Sequence, residues 1–242
     1  MHEEWLSRTE LLLGQEKLNC LKEKKVLVVG LGGVGSFAAE MIVRAGIGKM
    51  TIVDGDTVNT TNINRQLPAL HSNIGKSKAQ LMQDRLMDIN PCLELEVIDE
   101  FLRDERIEEV LNNHFDYVVD AIDTLSPKVN LIEKSLKRGF RIVSSMGAGA
   151  KIDPTKVHIA PLEKSFNCKL ALKVRKKLGK LKADKNFPVV FSSEMAKMES
   201  IVPVEGEQNK KTIAGTISYM PAIFGMYCAS VVIRDLTGDF EN

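Results

Sequence analysis

Apolar residues first gather into a short β-branched run at residues 25–30, Lys-Val-Leu-Val-Val-Gly, which stops on a glycine. Gly32, Gly33 and Gly35 follow, and apolar positions then recur at helical spacing through Met41, Ile42 and Ala45. This change of period predicts strand, tight turn and helix. Gly46-Ile47-Gly48 ends the helix, and Met50-Thr51-Ile52-Val53 predicts a second buried strand with Asp54 and Asp56 at its carboxyl end. The alternation continues. A helix through Ala79, Leu81, Met82 and Leu86 stops at Asn90-Pro91 ahead of a strand from Leu93 to Ile98. A helix from Glu105 to Asn112 precedes Tyr117-Val118-Val119-Asp120, and Leu131 to Lys137 with Arg141 to Ser144 repeats the pair. Such regularity predicts the α/β class: a Rossmann-like, doubly wound, mainly parallel sheet that binds ligands at the carboxyl ends of its strands.

Beyond Gly147 the pattern weakens, which predicts one Rossmann-like unit over 1–150 and a C-terminal extension of the same domain over 151–242. The extension carries a basic helical segment between 164 and 185, with Lys173, Arg175, Lys176 and Lys177 at its centre and Asp184 its single acid. Lys197 to Lys211, with Pro203 and Gly206, reads as a mobile loop. An uncharged stretch from Thr212 to Ile233 predicts a helix starting at Pro221. At about 13 residues and roughly 20 Å it is short for a hydrocarbon core of about 30 Å. We therefore expect a buried or subunit-interface helix, with membrane contact unlikely in view of its length.

Composition adds limits. With 242 residues, 44% hydrophobic and 27% charged, the chain has material for a real core. A net charge of +1 supplies no global field towards nucleic acid, so any such affinity must come from the local basic segment. The N-terminal residues lack a basic region followed by an apolar one, so a cytoplasmic protein is expected. Cys20, Cys92, Cys168 and Cys228 never form Cys-x-x-Cys, which argues for free, small buried side chains rather than a zinc site. His2, His71, His114 and His158 show no ligand spacing and read as ordinary histidines.

Chemistry concentrates after the first strand. Gly30-Leu31-Gly32-Gly33-Val34-Gly35 offers backbone N–H groups and a helix N-terminus to a phosphate, and Asp54 stands where a ribose hydroxyl would be bound. A dinucleotide or ATP would satisfy that much. Asn62, Arg65, Gln66 and Lys78 then place two cations after the second strand, and Asp123 adds a carboxylate. Two cations, a glycine turn and one acid suit a triphosphate with Mg²⁺, the cations offsetting charge that develops at phosphorus. Asp56 fits a turn cap and a ligand contact equally well.

Together, Gly-x-Gly-Gly-x-Gly, Asp54-x-Asp56-x-Val58, Thr61-Asn62-x-Asn64-Arg65-Gln66, Gly75-x-x-Lys78 and Asp120-Ala121-Ile122-Asp123 resemble the adenylating domain of the ubiquitin-activating and sulfur-carrier adenylyltransferase superfamily, the ThiF-like proteins. The resemblance implies that Gly33, Asp54, Asn62, Arg65 and Lys78 contact ATP and that Asp123 holds the metal. It also implies a homodimer in which Arg8 reaches the neighbouring subunit's nucleotide. Within the superfamily, Arg8-Thr9-Glu10-Leu11-Leu12-Leu13-Gly14, the basic run at 173–178 and Gly215-Thr216-Ile217-Ser218 resemble the branch of tRNA threonylcarbamoyladenosine dehydratases. Asn167-Cys168 stands where that branch commonly has Asp-Pro. The implied reaction is ATP-dependent cyclisation of N6-threonylcarbamoyladenosine in tRNA through an acyl adenylate, with the basic segment on tRNA and a sulfur-transfer protein as a possible partner. Two other readings stay open: an activator of a ubiquitin-like or sulfur-carrier protein using Cys168, and an NAD-dependent oxidoreductase.

Overall fold

The structure, a computed structural model, describes residues 4–203 and 212–240. Two helices, α1 (Ser7–Leu13) and α2 (Gln15–Glu23), precede the first strand. Neither was legible as an apolar stripe, because α1 buries no residue and α2 buries Leu18 and Leu21 alone. The predicted alternation follows: β1 (Lys25–Val29), α3 (Gly35–Arg44), β2 (Lys49–Val53), α4 (Lys78–Ile89), β3 (Glu94–Ile98), α5 (Asp104–Leu111), β4 (Tyr117–Asp120), α6 (Leu125–Lys137) and β5 (Arg141–Ser145). Helix α6 starts two turns ahead of the expected Leu131, with Pro127 in its first turn, where a missing N–H costs no hydrogen bond.

The chain beyond 150 completes the same sheet. It adds β6 (Val157–Pro161), α7 (Lys169–Lys180), β7 (Pro188–Ser192), a small hairpin of β8 (Ile201–Pro203) and β9 (Thr212–Ala214), and α8 (Tyr219–Leu236). Of the segment expected to be mobile, residues 204–211 lie outside the described residues. Helix α8 is 18 residues long, against about 13 expected: it opens at Tyr219, with Pro221 inside its first turn, and runs past Ile233 to Leu236. Among the described residues no helix is long and apolar enough to cross a membrane.

The seven-stranded sheet runs β3-β2-β1-β4-β5-β7-β6, parallel except for β6, which pairs antiparallel with β7. Both faces are covered, so the central strands are apolar throughout instead of alternating. Val26 and Val28 pack with Ile42, Met82 and Phe224, the side of α3, α4 and α8. Leu27 and Val29 pack with Ile107, Leu131 and Val174, the side of α5, α6 and α7. Strand order reverses between β1 and β4. The crevice outside their carboxyl ends is the topological switch point, where such sheets bind ligands.

Candidate nucleotide site

The glycine turn closes over that crevice. Gly30 takes φ +91°, and a Cβ there would stand 2.9 Å from the Ala121 carbonyl oxygen after β4. A Cβ at Gly35 would stand 1.7 Å from the Gly30 carbonyl oxygen, so the loop cannot curl into α3 with any larger residue. Asp54, at the end of β2, splints the turn: its Oδ2 accepts the Leu31 N–H at 2.6 Å and its Oδ1 the Asp56 N–H at 2.8 Å. Burial pushes the Asp54 carboxyl above its usual range, and Lys78 pulls it back in part. A carboxylate has about four acceptor sites, so these bonds leave capacity for a ribose hydroxyl.

Lys78 and Asp56 settle each other's place. Lys78 opens α4, its Nζ donates to Asp56 Oδ2 at 3.0 Å, and its backbone N–H donates to the Asp56 carbonyl at 3.0 Å. The Lys78 side chain is 5% exposed and that of Asp56 53%. A cation at a helix N-terminus concentrates positive potential at the crevice. Ser77 caps the helix through the Gln80 N–H, and the Val58 N–H holds the Lys76 carbonyl, fixing the approach.

Residues 59–66 form the third wall. Asn62 Oδ1 accepts the Asn59 N–H in a reciprocal capping box, so that oxygen serves the turn. Arg65 Nη1 donates to the Thr61 carbonyl and to Asn64 Oδ1, each at 2.8 Å; the guanidinium has five N–H donors and only this nitrogen is engaged in the turn. Asn64 Nδ2 donates to the Thr216 carbonyl at 2.9 Å, which ties this wall to the chain leading into α8. Pro221 of α8 and Arg65 both lie against Gly33. Gln66 lies beside Gly32, and its Oε1 is buried without a hydrogen-bond partner. The glycine turn and the helix N-terminus suit phosphates, and the Asp54 carboxylate suits a ribose hydroxyl. The cradle therefore fits a nucleoside triphosphate.

Asp123 is exposed in the loop that leaves the carboxyl end of β4. Among the described residues no cluster of three His, Cys, Asp or Glu could hold a metal. One carboxylate together with substrate phosphates and water is a donor set that would suit Mg²⁺.

A support beneath the site went unread in the sequence. Lys128 Nζ donates to Asp120 Oδ2 at 2.6 Å and to Ser144 Oγ at 3.1 Å, with the Lys128 and Asp120 side chains wholly buried. Asp120 Oδ1 accepts the Ile122 N–H at 3.1 Å, which fixes the loop that carries Asp123. The signal was present: Lys128 falls on the apolar stripe of α6 with Leu125, Val129 and Ile132. A second buried cation, Lys151, donates to the carbonyls of Ser192 and Glu194, and burial lowers its pKa.

Other expected residues lie apart. Arg8 is exposed in the first turn of α1. Lys173, Lys176 and Lys177 are exposed on α7, with Lys177 Nζ 3.3 Å from Ser126 Oγ. Arg175 points back instead, donating through Nη1 to the carbonyls of Leu162, Glu163 and Ser165. It holds the loop before α7 and displays less charge than its place in the basic run suggested. The four cysteines are free. Cys168 and Cys228 are buried as expected, and burial pushes the Cys228 thiol up to about 12; Cys92 is exposed, because it follows Pro91 in a surface turn. His71, His114 and His158 are exposed, and His2 lies outside the described residues.

The profile of the ThiF family matches residues 6–242. The chain belongs to that family. It is 39% identical over 242 residues to the tRNA threonylcarbamoyladenosine dehydratase of Bacillus subtilis, covering 97% of this chain and 95% of that protein. The crystal structure of the Escherichia coli tRNA N6-threonylcarbamoyladenosine dehydratase in complex with ATP superposes with a TM-score of 0.88 at 32% identity, over 97% of this chain and 94% of that one. By contrast, the likeness to the molybdopterin-synthase adenylyltransferase of Haemophilus influenzae, 38% identical, spans 46% of this chain.

Proposed function

We propose that this protein cyclises N6-threonylcarbamoyladenosine in tRNA at the expense of ATP. The observation that carries the reading is the full-length likeness to dehydratases, the basic α7 and the chain beyond 150 included, around a cradle that fits ATP. The adenylyltransferase likeness spans under half of the chain, whereas the dehydratase likeness spans nearly all of it, which disfavours the carrier-protein reading.

The reaction asks for little proton chemistry. A threonyl carboxylate is already an anion; one of its oxygens attacks the α-phosphorus of the ATP substrate, and pyrophosphate leaves. The carbamoyl oxygen then attacks the activated acyl carbon, an adjoining N–H loses its proton to solvent, and AMP departs, carrying that carboxylate oxygen. Ring closure is intramolecular, with effective molarities that reach about 10⁵ M for well-oriented groups. The chain's part is to hold and to neutralise. The glycine turn and the α3 N-terminus face the phosphates, Asp54 and Gln66 hold the nucleoside, and Arg65 and Lys78 stabilise charge developing at phosphorus. Asp123 would hold Mg²⁺, which when bound draws charge from the phosphates. No cysteine is required, in keeping with the burial of Cys168.

The same reading includes a homodimer. Helix α1 buries no residue of its own, yet Leu11 and Leu12 are 84% and 83% exposed, an apolar surface suited to a second copy. Arg8, one turn earlier, would then enter the partner's site. With tRNA and ATP as substrates the place of action is the cytoplasm. Mass spectrometry of tRNA nucleosides tests the function: a strain lacking the protein should accumulate the open form and lose the cyclic one, and unchanged nucleosides would contradict the reading.

A further inference from the structure

Phe166 is 53% exposed, immediately before the basic helix, and its setting is more ordered than an idle surface ring requires. Its edge meets the buried Phe191 ring, with centroids 5.5 Å apart and planes at 70°, and exposed His158 flanks it at 6.5 Å and 31°. Asn167, next in the chain, takes φ +54° and its Nδ2 donates to the Ser193 carbonyl at 2.8 Å. Asparagine tolerates that left-handed backbone, so the loop is pinned with the ring outward. Covering Phe191 accounts for one edge of Phe166. It leaves an apolar face in water without a role.

The position supplies one. His158 and Phe191 pair across β6 and β7 near the carboxyl end of β7, the same sheet edge as the glycine turn. Cys168, which caps α7, lies beside Gly147 in the loop after β5. Three to four strand spacings of about 4.8 Å separate Phe166 from the nucleotide cradle, about 14–19 Å. A stacked strand advances about 3.4 Å per nucleotide, so four to six nucleotides span that gap. Lys164, Lys169 and Lys173, two, three and seven residues from Phe166 along the chain, are exposed and available to a phosphate backbone.

We propose that Phe166 is a stacking platform for an unpaired base of the substrate RNA, a few nucleotides from the adenosine being cyclised. The inference rests on the tRNA reading above. Loop nucleotides are recognised by splaying bases onto aromatic faces, and lysines along the backbone add affinity without sequence preference. Phe166 thereby sets which loop register places the modified adenosine at the cradle.

The test uses the full-length protein and a stem-loop RNA bearing the threonylcarbamoyl adenosine, with 2-aminopurine placed in turn at each unpaired position. Phe166→Ala should weaken binding about 5- to 150-fold, the range for one stacked base. The slope of log K against log salt should stay unchanged, because stacking releases no counterions. At one position 2-aminopurine fluorescence should be quenched by wild type, lost in Phe166→Leu, which keeps apolar bulk, and kept in Phe166→Trp. Binding by Phe166→Ala equal to wild type, no position that behaves so, or dissociation of Phe166→Ala dimers would overturn the inference while leaving the function standing. Failure of the wild-type protein to bind or cyclise the RNA would overturn the tRNA reading itself.

Discussion

Replacing Lys78 by methionine removes one charge from the cradle and keeps most of the side chain's length. Two consequences separate cleanly. Asp56, left behind, is 53% exposed and regains water, so the cost to folding should be about 1 kcal/mol or less, the scale of an exposed pair. Catalysis should suffer more: one positioned charge at a developing phosphoryl anion is worth about 2.7–4 kcal/mol, or roughly 10²–10³ in rate. Asp54 adds a signature in pH. Burial already raises its carboxyl, and Lys78 is the main influence that lowers it, so the variant's Asp54 should hold its proton to higher pH. The acid limb of activity should therefore move upward, since ribose binding and the splint on Leu31 both need the carboxylate. The assay is single-turnover AMP release from modified tRNA across a pH series, with thermal melting as the control for folding. Near-normal turnover in a folded Lys78→Met protein, or an unmoved acid limb, would refute the electrostatic assignment.

Other expectations follow from the support around the site. Lys128→Met leaves a wholly buried Asp120 carboxylate alone and should cost about 3–5 kcal/mol, or about 6–20 °C in melting temperature, with much of it regained in Asp120→Asn/Lys128→Met; an unchanged melting point would show the pair to be dispensable. For Glu40, burial raises the carboxyl but bonds from Arg85 and Arg44 outweigh it, so the net shift is downward. Its contribution is complete above the ordinary value of 4.5 and fades as pH falls through the lowered one, so the melting-point gap between wild type and Glu40→Gln should close on acidification. A pH-independent gap would remove the charge from the account. Mixing inactive Arg8→Ala and Lys78→Ala subunits should restore some activity through heterodimers with one intact site; no recovery despite subunit exchange would count against action in trans.

The glycine turn, Asp54, Arg65 and Lys78 were legible because each is fixed by local chain geometry: a turn that excludes Cβ atoms, a strand end, and a helix start. Elements whose order comes from distant contacts were not. The buried face of α7, Ala171, Val174 and Leu178, is hidden in the sequence by its surrounding lysines, and nothing local announces that Arg175 turns towards the carbonyls before its helix. Strands β6 and β7 are short and bounded by Pro161 and Pro188, so they resemble loop until paired. The Lys128–Asp120–Ser144 support joins residues from three elements, and only a cation on an apolar stripe hinted at it. The orphaned Gln66 acceptor is a property of the folded cradle alone.

The central claim is that the threonyl carboxylate itself is adenylated and that no protein nucleophile intervenes. Heavy oxygen in that carboxylate reports on it directly. With modified tRNA labelled at both carboxylate oxygens, ATP and the purified protein, mass spectrometry of the products should find one heavy oxygen in each AMP and the other in the cyclised nucleoside. The result should be the same in a folded variant with Cys20, Cys92, Cys168 and Cys228 all replaced by serine. Unlabelled AMP, label in inorganic phosphate, or abolished cyclisation in the cysteine-free protein would contradict the account.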